Sequence, residues 1–555
     1  MPNQRPLLPA ALALALLSSC TFPAHAQNTQ NAQSPAIPTF RVTSSLVYLD
    51  VTVLDKKGNP VVSGLTKDDF HITQDKTPQP IFSFEAPQAH VVNNNSGADN
   101  PSGKAPVTIL VLDQLNSRFQ DFAYIRYEAR RYLLRQPEQL PAPAELLVLR
   151  DQSLELLQGY TRSRADLIEA LDHLPAALPF EQMHPMFVWD RFAQSIDALQ
   201  QIAIQNRGIP GRKNVIWIGH GGPGVFLYVS PDLTEQDVQD LREYAHQTTN
   251  MLVDSRVSLF VIYPGLQVNR PSISLSSMDA AEDLGDDDPF AGNINFGLFS
   301  NATGGKLYFN RNDLAHLISR SQELGSEYYT LTYQPTFVPA NGKFQRIRVT
   351  LNNHSYRVVT KAGYFAPDPQ MRTNPLFKSM NSIGEASIST VPFNALSLSV
   401  NSLVRHADTR RVDINVQLQN QHLNWLPTVN GKNQASLLLA AVARDKNLDV
   451  LASRIVNARI TSILQDPVAR DSIVSHMSIS LRFPKHADSI RFVVEDTHGG
   501  RTGSVEISRQ QVLAAPVEPT PPPQLTPRRP QYVPSSPPPS APSAPKPSLN
   551  PSTSP

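Results

Sequence analysis

The chain has 555 residues, 40% of them hydrophobic and 17% charged, and 49 Lys and Arg against 48 Asp and Glu leave a formal net charge of +1. That length exceeds what one hydrophobic core organises, so several domains are expected. The near-neutral balance, with no basic run interleaved with aromatics, argues against nucleic acid and anionic membrane as partners.

At the N-terminus Arg5 is followed by apolar Leu7 to Leu17 and then by Ala24-His25-Ala26. This reads as a signal peptide over residues 1–26, with Gln27 as the first mature residue. The apolar stretch is shorter than the roughly 20 residues that a membrane-spanning helix needs. No other segment is long and apolar enough, so an exported protein without a transmembrane helix is expected. Its location would be the periplasm, the outer membrane surface or the medium. Leu17-Ser18-Ser19-Cys20 is similar to a lipobox, which makes a lipid anchor at Cys20 the alternative to cleavage before Gln27. Cys20 is the single cysteine of the chain, so the folded part is expected to hold no disulfide, zinc-thiolate site or cysteine nucleophile.

Residues 40–87 read as a small β unit. Val47, Leu49, Val51 and Val53 alternate with more polar neighbours, Asp55 to Pro60 is turn chemistry, and Leu65 to Phe70 and Pro80 to Glu85 complete it. So few residues make little core, and the unit is expected to pack on something else. Residues 88–105 form a linker rich in Asn, Ser, Gly and Pro. From there to residue 367 the pattern is strand and helix in alternation. The strands are Val107 to Leu112, Leu146 to Leu149, Leu154 to Gln158, Asn214 to Gly219, Val257 to Tyr263 and Tyr328 to Tyr333. The helices are Asp121 to Leu134, Asp166 to Leu174, Phe187 to Asn206, Thr234 to Asp254 and Asp313 to Leu324. This predicts an α/β domain with a doubly wound, mostly parallel sheet, whose ligands bind beyond the carboxyl ends of the strands. Residues 266–300 interrupt it as a polar, acidic insertion, and 366–390 read as a connector. Short strands over 392–510 predict a β-sandwich. From Pro516 onward Pro, Ser and Thr dominate, the composition of a disordered, partly polyproline tail.

In order along the chain stand Asp55-Lys56-Lys57-Gly58, Gly64-Leu65-Thr66, Asp69-Phe70, Leu112-Asp113-Gln114-Leu115-Asn116-Ser117, Gly211-Arg212-Lys213-Asn214, Ala302-Thr303-Gly304-Gly305, Tyr328 to Tyr333 and Gly363-Tyr364-Phe365. Over about residues 40–367 this series resembles the von Willebrand factor A-related proteins of acidobacteria. The resemblance implies a von Willebrand A (Rossmann-like) α/β fold and an interaction role in place of catalysis. It also implies where a metal would sit. Such domains hold Mg2+ or Mn2+ through an Asp-x-Ser-x-Ser loop, a later Thr and an Asp on a third loop, hard oxygen ligands for a hard cation. Asp113 and Ser117 keep their places and Thr161 matches the later Thr. Leu115 stands where the first Ser should be, and Gly219 to Pro223 offers no Asp. A degenerate site that binds Mg2+ or Mn2+ weakly is the most this set supports, and Asp113 capping the next turn is the simpler expectation.

His220-Gly221-Gly222-Pro223 also resembles the oxyanion-hole loop of α/β-hydrolases, but no Gly-x-Ser-x-Gly elbow accompanies it. The acidic cluster Asp279, Glu282, Asp283, Asp286, Asp287 and Asp288 does not have EF-hand spacing. Walker A and HExxH motifs are absent. The expectation is therefore a non-enzymatic envelope adhesion or scaffold protein that binds another envelope or extracellular protein. A hydrolase acting near His220 and a glycan-binding protein are the alternatives.

Overall fold

The computed structural model describes residues 46–90, 104–151, 153–175, 188–219, 221, 225–226, 234–264, 288–367, 375–406, 410–428 and 430–518. The expected signal peptide, most of the acidic cluster, His220 and the Pro-rich tail beyond residue 518 lie outside them.

The alternating valines and leucines make β1 (Val47–Leu54), whose Leu49, Val51 and Val53 are buried. It is followed by β2 (Phe70–Gln74), β3 (Thr77–Gln79) and β4 (Ile81–Glu85). These strands bury an apolar face that they cannot cover among themselves, and what covers it comes from the far side of the α/β unit.

That unit begins with β5 (Val107–Asp113), α1 (Phe119–Leu134), β6 (Gln139–Arg150), β7 (Ser153–Ser163), α2 (Arg164–Asp172), α3 (Val188–Asn206) and β8 (Lys213–Ile218). It continues with β9 (Val225–Phe226), α4 (Glu235–Asp254), β10 (Val257–Pro264), β11 (Asn293–Ile294), α5 (Phe296–Thr303), β12 (Lys306–Arg311) and α6 (Leu314–Ser326). The six-stranded sheet has the order β12-β10-β8-β5-β6-β7. All neighbours are parallel except β6 and β7, which form an antiparallel hairpin. Its central strands carry unbroken apolar runs, such as Ile109 to Leu112 and Val215 to Ile218, because both faces are covered there. Ile109, Val111, Val215 and Trp217 point into the core under α3, α4 and α5. Leu110, Leu112, Ile216 and Ile218 point into the core under α1, α2 and α6. Residues 266–300 were expected as a polar, acidic insertion, but helix α5 begins within them and buries Phe296 and Phe299 against the sheet.

Tyr328 to Tyr333 was expected in the central sheet. The strand β13 (Tyr329–Tyr333) instead pairs antiparallel with β1, Leu49 opposite Leu331, and with β4. It is joined by β14 (Phe344–Leu351), β15 (Arg357–Val359) and β16 (Gly363–Phe365). Two sheets result, β15-β1-β13-β4 and β16-β14-β2-β3, and they share one core. The reason lies in the period. Tyr329, Leu331 and Tyr333 face that core, while Thr330 hydrogen-bonds to Asp50 on the other side. A strand with one apolar and one polar face does not suit a position buried between two helical layers.

Residues 366–390 are more than a connector, because α7 (Pro375–Ile388) lies within them. Its Ile383 and Ala386 pack with Ile204 of α3 and with Leu438, Ala440 and Val493 of the C-terminal strands. Those strands are β17 (Leu398–His406), β18 (Arg411–Gln419), β19 (Leu426–Pro427), β20 (Asn433–Arg444), β21 (Val450–Ser462), β22 (Val474–Arg482), β23 (Ser489–Asp496), β24 (Thr502–Ser508) and β25 (Val517–Glu518). One sheet runs β22-β18-β17-β25, and a second contains β19, β20, β23 and β24 with β21 on β20. Both contribute to one buried cluster. The pairing of β25 with Arg405 and His406 carries ordered chain past Pro516, where the tail was expected to begin.

Helix α7 also brings Glu385 toward Asp197 of α3, which accepts a hydrogen bond from the Tyr244 hydroxyl of α4. Burial, reinforced by Asp197, pushes Glu385 up to about 7, and burial pushes Asp197 up to about 6. A carboxyl whose pKa rises on folding holds its proton more tightly in the native state. Its stabilising contribution is complete below the ordinary carboxylate range and is lost as pH rises through the folded value. Stability is therefore expected to fall between about pH 4 and 7, by about 3 kcal/mol from Glu385. Glu145, buried and pushed up to about 7, acts in the same direction, so the diagnostic measurement is a difference. Urea unfolding across this range should show a shallower pH slope in Glu385→Gln than in the wild type; equal slopes would remove α7 from the account.

Candidate functional site

In this sheet the strand order reverses at β5. The chain steps from β5 to β6 on one side and later returns to place β8 on the other. The crevice beyond the carboxyl ends of β5 and β8 is where a doubly wound sheet offers a ligand site. Asp113, the last residue of β5, stands there and is completely buried.

Its carboxylate is occupied by donors from the protein itself. Oδ1 accepts from the Asn116 main-chain N at 3.0 Å and from Asn116 Nδ2 at 3.0 Å. Oδ2 accepts from Gly221 N at 2.7 Å, from Trp217 Nε1 at 3.2 Å and from Asn116 Nδ2 at 3.2 Å. Asn116 Nδ2 also donates to Ser195 Oγ of α3, which in turn donates to Arg191 O. The β5 loop, the β8 loop and α3 are thereby tied to one carboxylate. Burial raises the Asp113 pKa, and the N–H donors oppose that rise without cancelling it.

Glycine makes this closeness attainable. Gly219 has φ +145°, and a Cβ there would lie 2.3 Å from the Asp113 Cβ. Gly221 has φ +64°, and its Cβ would lie 2.4 Å from the Phe296 ring, which packs on Trp217 at 4.8 Å between centroids. Gly219 is thus pressed onto Asp113, and Gly221 is held between Asp113 and α5.

The three residues expected to converge on a metal do not converge. Ser117 is beside Asp113, but its hydroxyl donates to the Asp113 main-chain O. Thr161 lies at the other end of the sheet. It pairs with Ala144, which pairs with Thr108 at the start of β5, five residues before Asp113 and roughly 17 Å away at strand rise. There Thr161 donates to Asp166 and accepts from Ser163 N, holding the start of α2. The hairpin register decides this, because β7 runs antiparallel and its C-terminal residues descend to the opposite edge. A divalent cation needs open carboxylate oxygens. The described residues do not fit one at Asp113, whose oxygens face N–H groups. Among the described residues no three His, Cys, Asp or Glu side chains cluster as metal ligands. Asp288, the described member of the acidic cluster, pairs with His246 and Arg242 of α4.

Trp217 was not singled out from the sequence as a partner of Asp113. The signal for it was period: positions 215 and 217 share one face of β8, the face that α3 and α5 cover. The Gly211-Arg212-Lys213-Asn214 run is likewise internal. Arg212 is 1% exposed and donates through Nε to Ser258 Oγ at 2.8 Å and through Nη1 to Thr52 Oγ1 at 2.9 Å. Lys213 Nζ donates to the carbonyls of Ile209 and Gly211, and burial holds its pKa well below the usual lysine value. These cations fasten β8 to β1 and to its own preceding loop at the sheet edge remote from Asp113.

No protein-family model matches the chain, and no curated protein matches it. Among solved structures, the SpRpn10 VWA domain aligns at 17% identity over 29% of this chain and 76% of its own, with a TM-score of 0.19. The human COPII-coat protein Sec24c aligns at 10% identity over 47% of this chain and 44% of its own, with a TM-score of 0.23. At these scores neither likeness carries an argument about function.

Proposed function

We propose that the chain is an exported cell-envelope adhesion or scaffold protein. It binds another envelope or extracellular protein through a von Willebrand A-like α/β domain whose metal site has degenerated, with the C-terminal strands forming a β-sandwich beside it. The observation that carries this reading is the state of Asp113. Among the described residues, the carboxylate at the switch point is sealed by Asn116, Trp217 and Gly221, an arrangement that suits neither a general base nor a cation ligand. With that carboxylate turned inward, we read the strand ends as serving protein recognition in place of catalysis. Export rests on the leader-like residues 1–26.

Crosslinking in intact cells followed by mass spectrometry tests the proposal. One recurrent protein partner is expected, and its capture should survive EDTA. Calorimetry of the full chain should show Mg2+ and Mn2+ binding no tighter than about millimolar. Micromolar affinity that disappears in Asp113→Ala would restore a metal-dependent mechanism. Esterase or peptidase activity that is lost in His220→Ala would replace the binding role with an enzymatic one.

A further inference from the structure

A second surface, remote from the strand-end crevice, has features of its own. Strand β16 covers only Phe344 to Arg346 of β14. At Ile347 the main-chain N turns to Ala362 O, and β15 leaves to join the other sheet by pairing with β1. The two sheets part here. Between them lies a shallow groove of about 310 Å³, lined by Arg348 and Val349 on one wall and by Val358, Thr360 and Lys361 on the other, with Gly305 at its base. We infer that this groove between β14 and β15 receives an extended segment of a partner protein bearing acidic side chains.

The groove is walled by strand edges. β15 ends its sheet, so one side of its main chain has no strand beside it, and such an edge is a template for an added strand. Alternating side chains of an added strand would meet the apolar Ile347, Val349 and Val358 on one side and polar groups on the other. One of those polar groups, the Thr360 hydroxyl, is buried without a hydrogen-bond partner. The volume falls within the range of about 300–1,000 Å³ usual for ligand sites.

Charge selects an acidic ligand. Lys306 follows Gly305, Arg357 precedes Val358, and both side chains are exposed beside the groove, as is Arg348 in its wall. Arg311 and Arg320, which stand near Lys306, are paired with Asp313 and Glu323. Among the described residues Lys306, Arg348 and Arg357 have no carboxylate partner. Partial desolvation of the Lys306 stem and the cations Arg357, Arg320 and Arg311 hold its ammonium below its usual pKa, and burial holds Lys361 down at about 8. A chain of net charge +1 thus concentrates uncompensated positive charge at one groove, and carboxylates placed there would be attracted at close range.

The test uses the full chain and fluorescein-labelled hexapeptides. Glu-Val-Glu-Val-Glu-Val should bind saturably in fluorescence anisotropy, weaken as salt rises, and protect amides at residues 347–349 and 357–362 from exchange. The exposed pair Lys306→Glu and Arg357→Glu should weaken it at least tenfold with the melting temperature unchanged. Arg348→Glu provides a second variant should that pair fold poorly. Equal binding of Lys-Val-Lys-Val-Lys-Val, or undiminished binding in both variants, would overturn the inference. Full displacement by inorganic phosphate at equal concentration would assign the groove to free anions and overturn it as well. None of these readouts depends on the strand-end crevice, so failure here leaves the proposed function standing.

Discussion

Asp113→Ala is expected to destabilise the protein by about 3 kcal/mol, measured by urea unfolding. The substitution leaves the Asn116 main-chain N, Trp217 Nε1 and Gly221 N buried without their acceptor. A buried donor left unsatisfied costs about 1–3 kcal/mol. Part of that loss is offset, because burying the carboxylate is itself unfavourable, as its raised pKa records. Asp113→Asn should fall between wild type and alanine, since one amide oxygen still accepts while its NH2 group opposes the N–H donors on the other side. The loss should be the same with Mg2+ and with EDTA. A change below about 1 kcal/mol would mean that the three donors find other acceptors, and Asp113 would then not be what joins the β5 and β8 loops.

Arg212→Met is expected to cost about 2–4 kcal/mol, the range of a buried cation removed from its hydrogen-bonded setting. Methionine nearly fills the volume, so the loss reports the guanidinium. Its Nη1 bond to Thr52 and Nε bond to Ser258 join β1 to β10 across the start of β8, and it also lies over the Tyr328 ring at 5.5 Å. Thr52 and Ser258 retain acceptors for their own protons, in Leu324 O and Thr303 O. Asp50 retains Arg256. These remaining partners keep the cost well below that of an abandoned buried charge. Because Arg212 bridges two layers, amide exchange in β1 and β13 should accelerate more than in β5 and β6. Uniform acceleration would show that the layers unfold together regardless of this side chain.

The sequence by itself determined the elements whose pattern is local. Runs apolar at every position, such as Ile109 to Leu112, predicted strands covered on both faces, and the covering helices lie where the 3.6-residue stripes indicated. The stripe through Phe192, Ile196, Leu199 and Ala203 is the buried face of α3. The place of Asp113 at the end of the first central strand was also legible, because it follows from where an apolar run stops. Only the tertiary structure decided which strands are neighbours. Asp50 meets Thr330 across 280 residues of chain, and no periodicity encodes such a pairing. Thr161 was placed by the register of a hairpin, and a residue's height along a sheet is invisible to spacing alone. Nothing in the local pattern marks Arg212 as buried, yet it is, because the hydroxyl oxygens of Thr52 and Ser258 reach it from distant segments. Burial of a charge depends on those partners being assembled in space, which only the folded chain does.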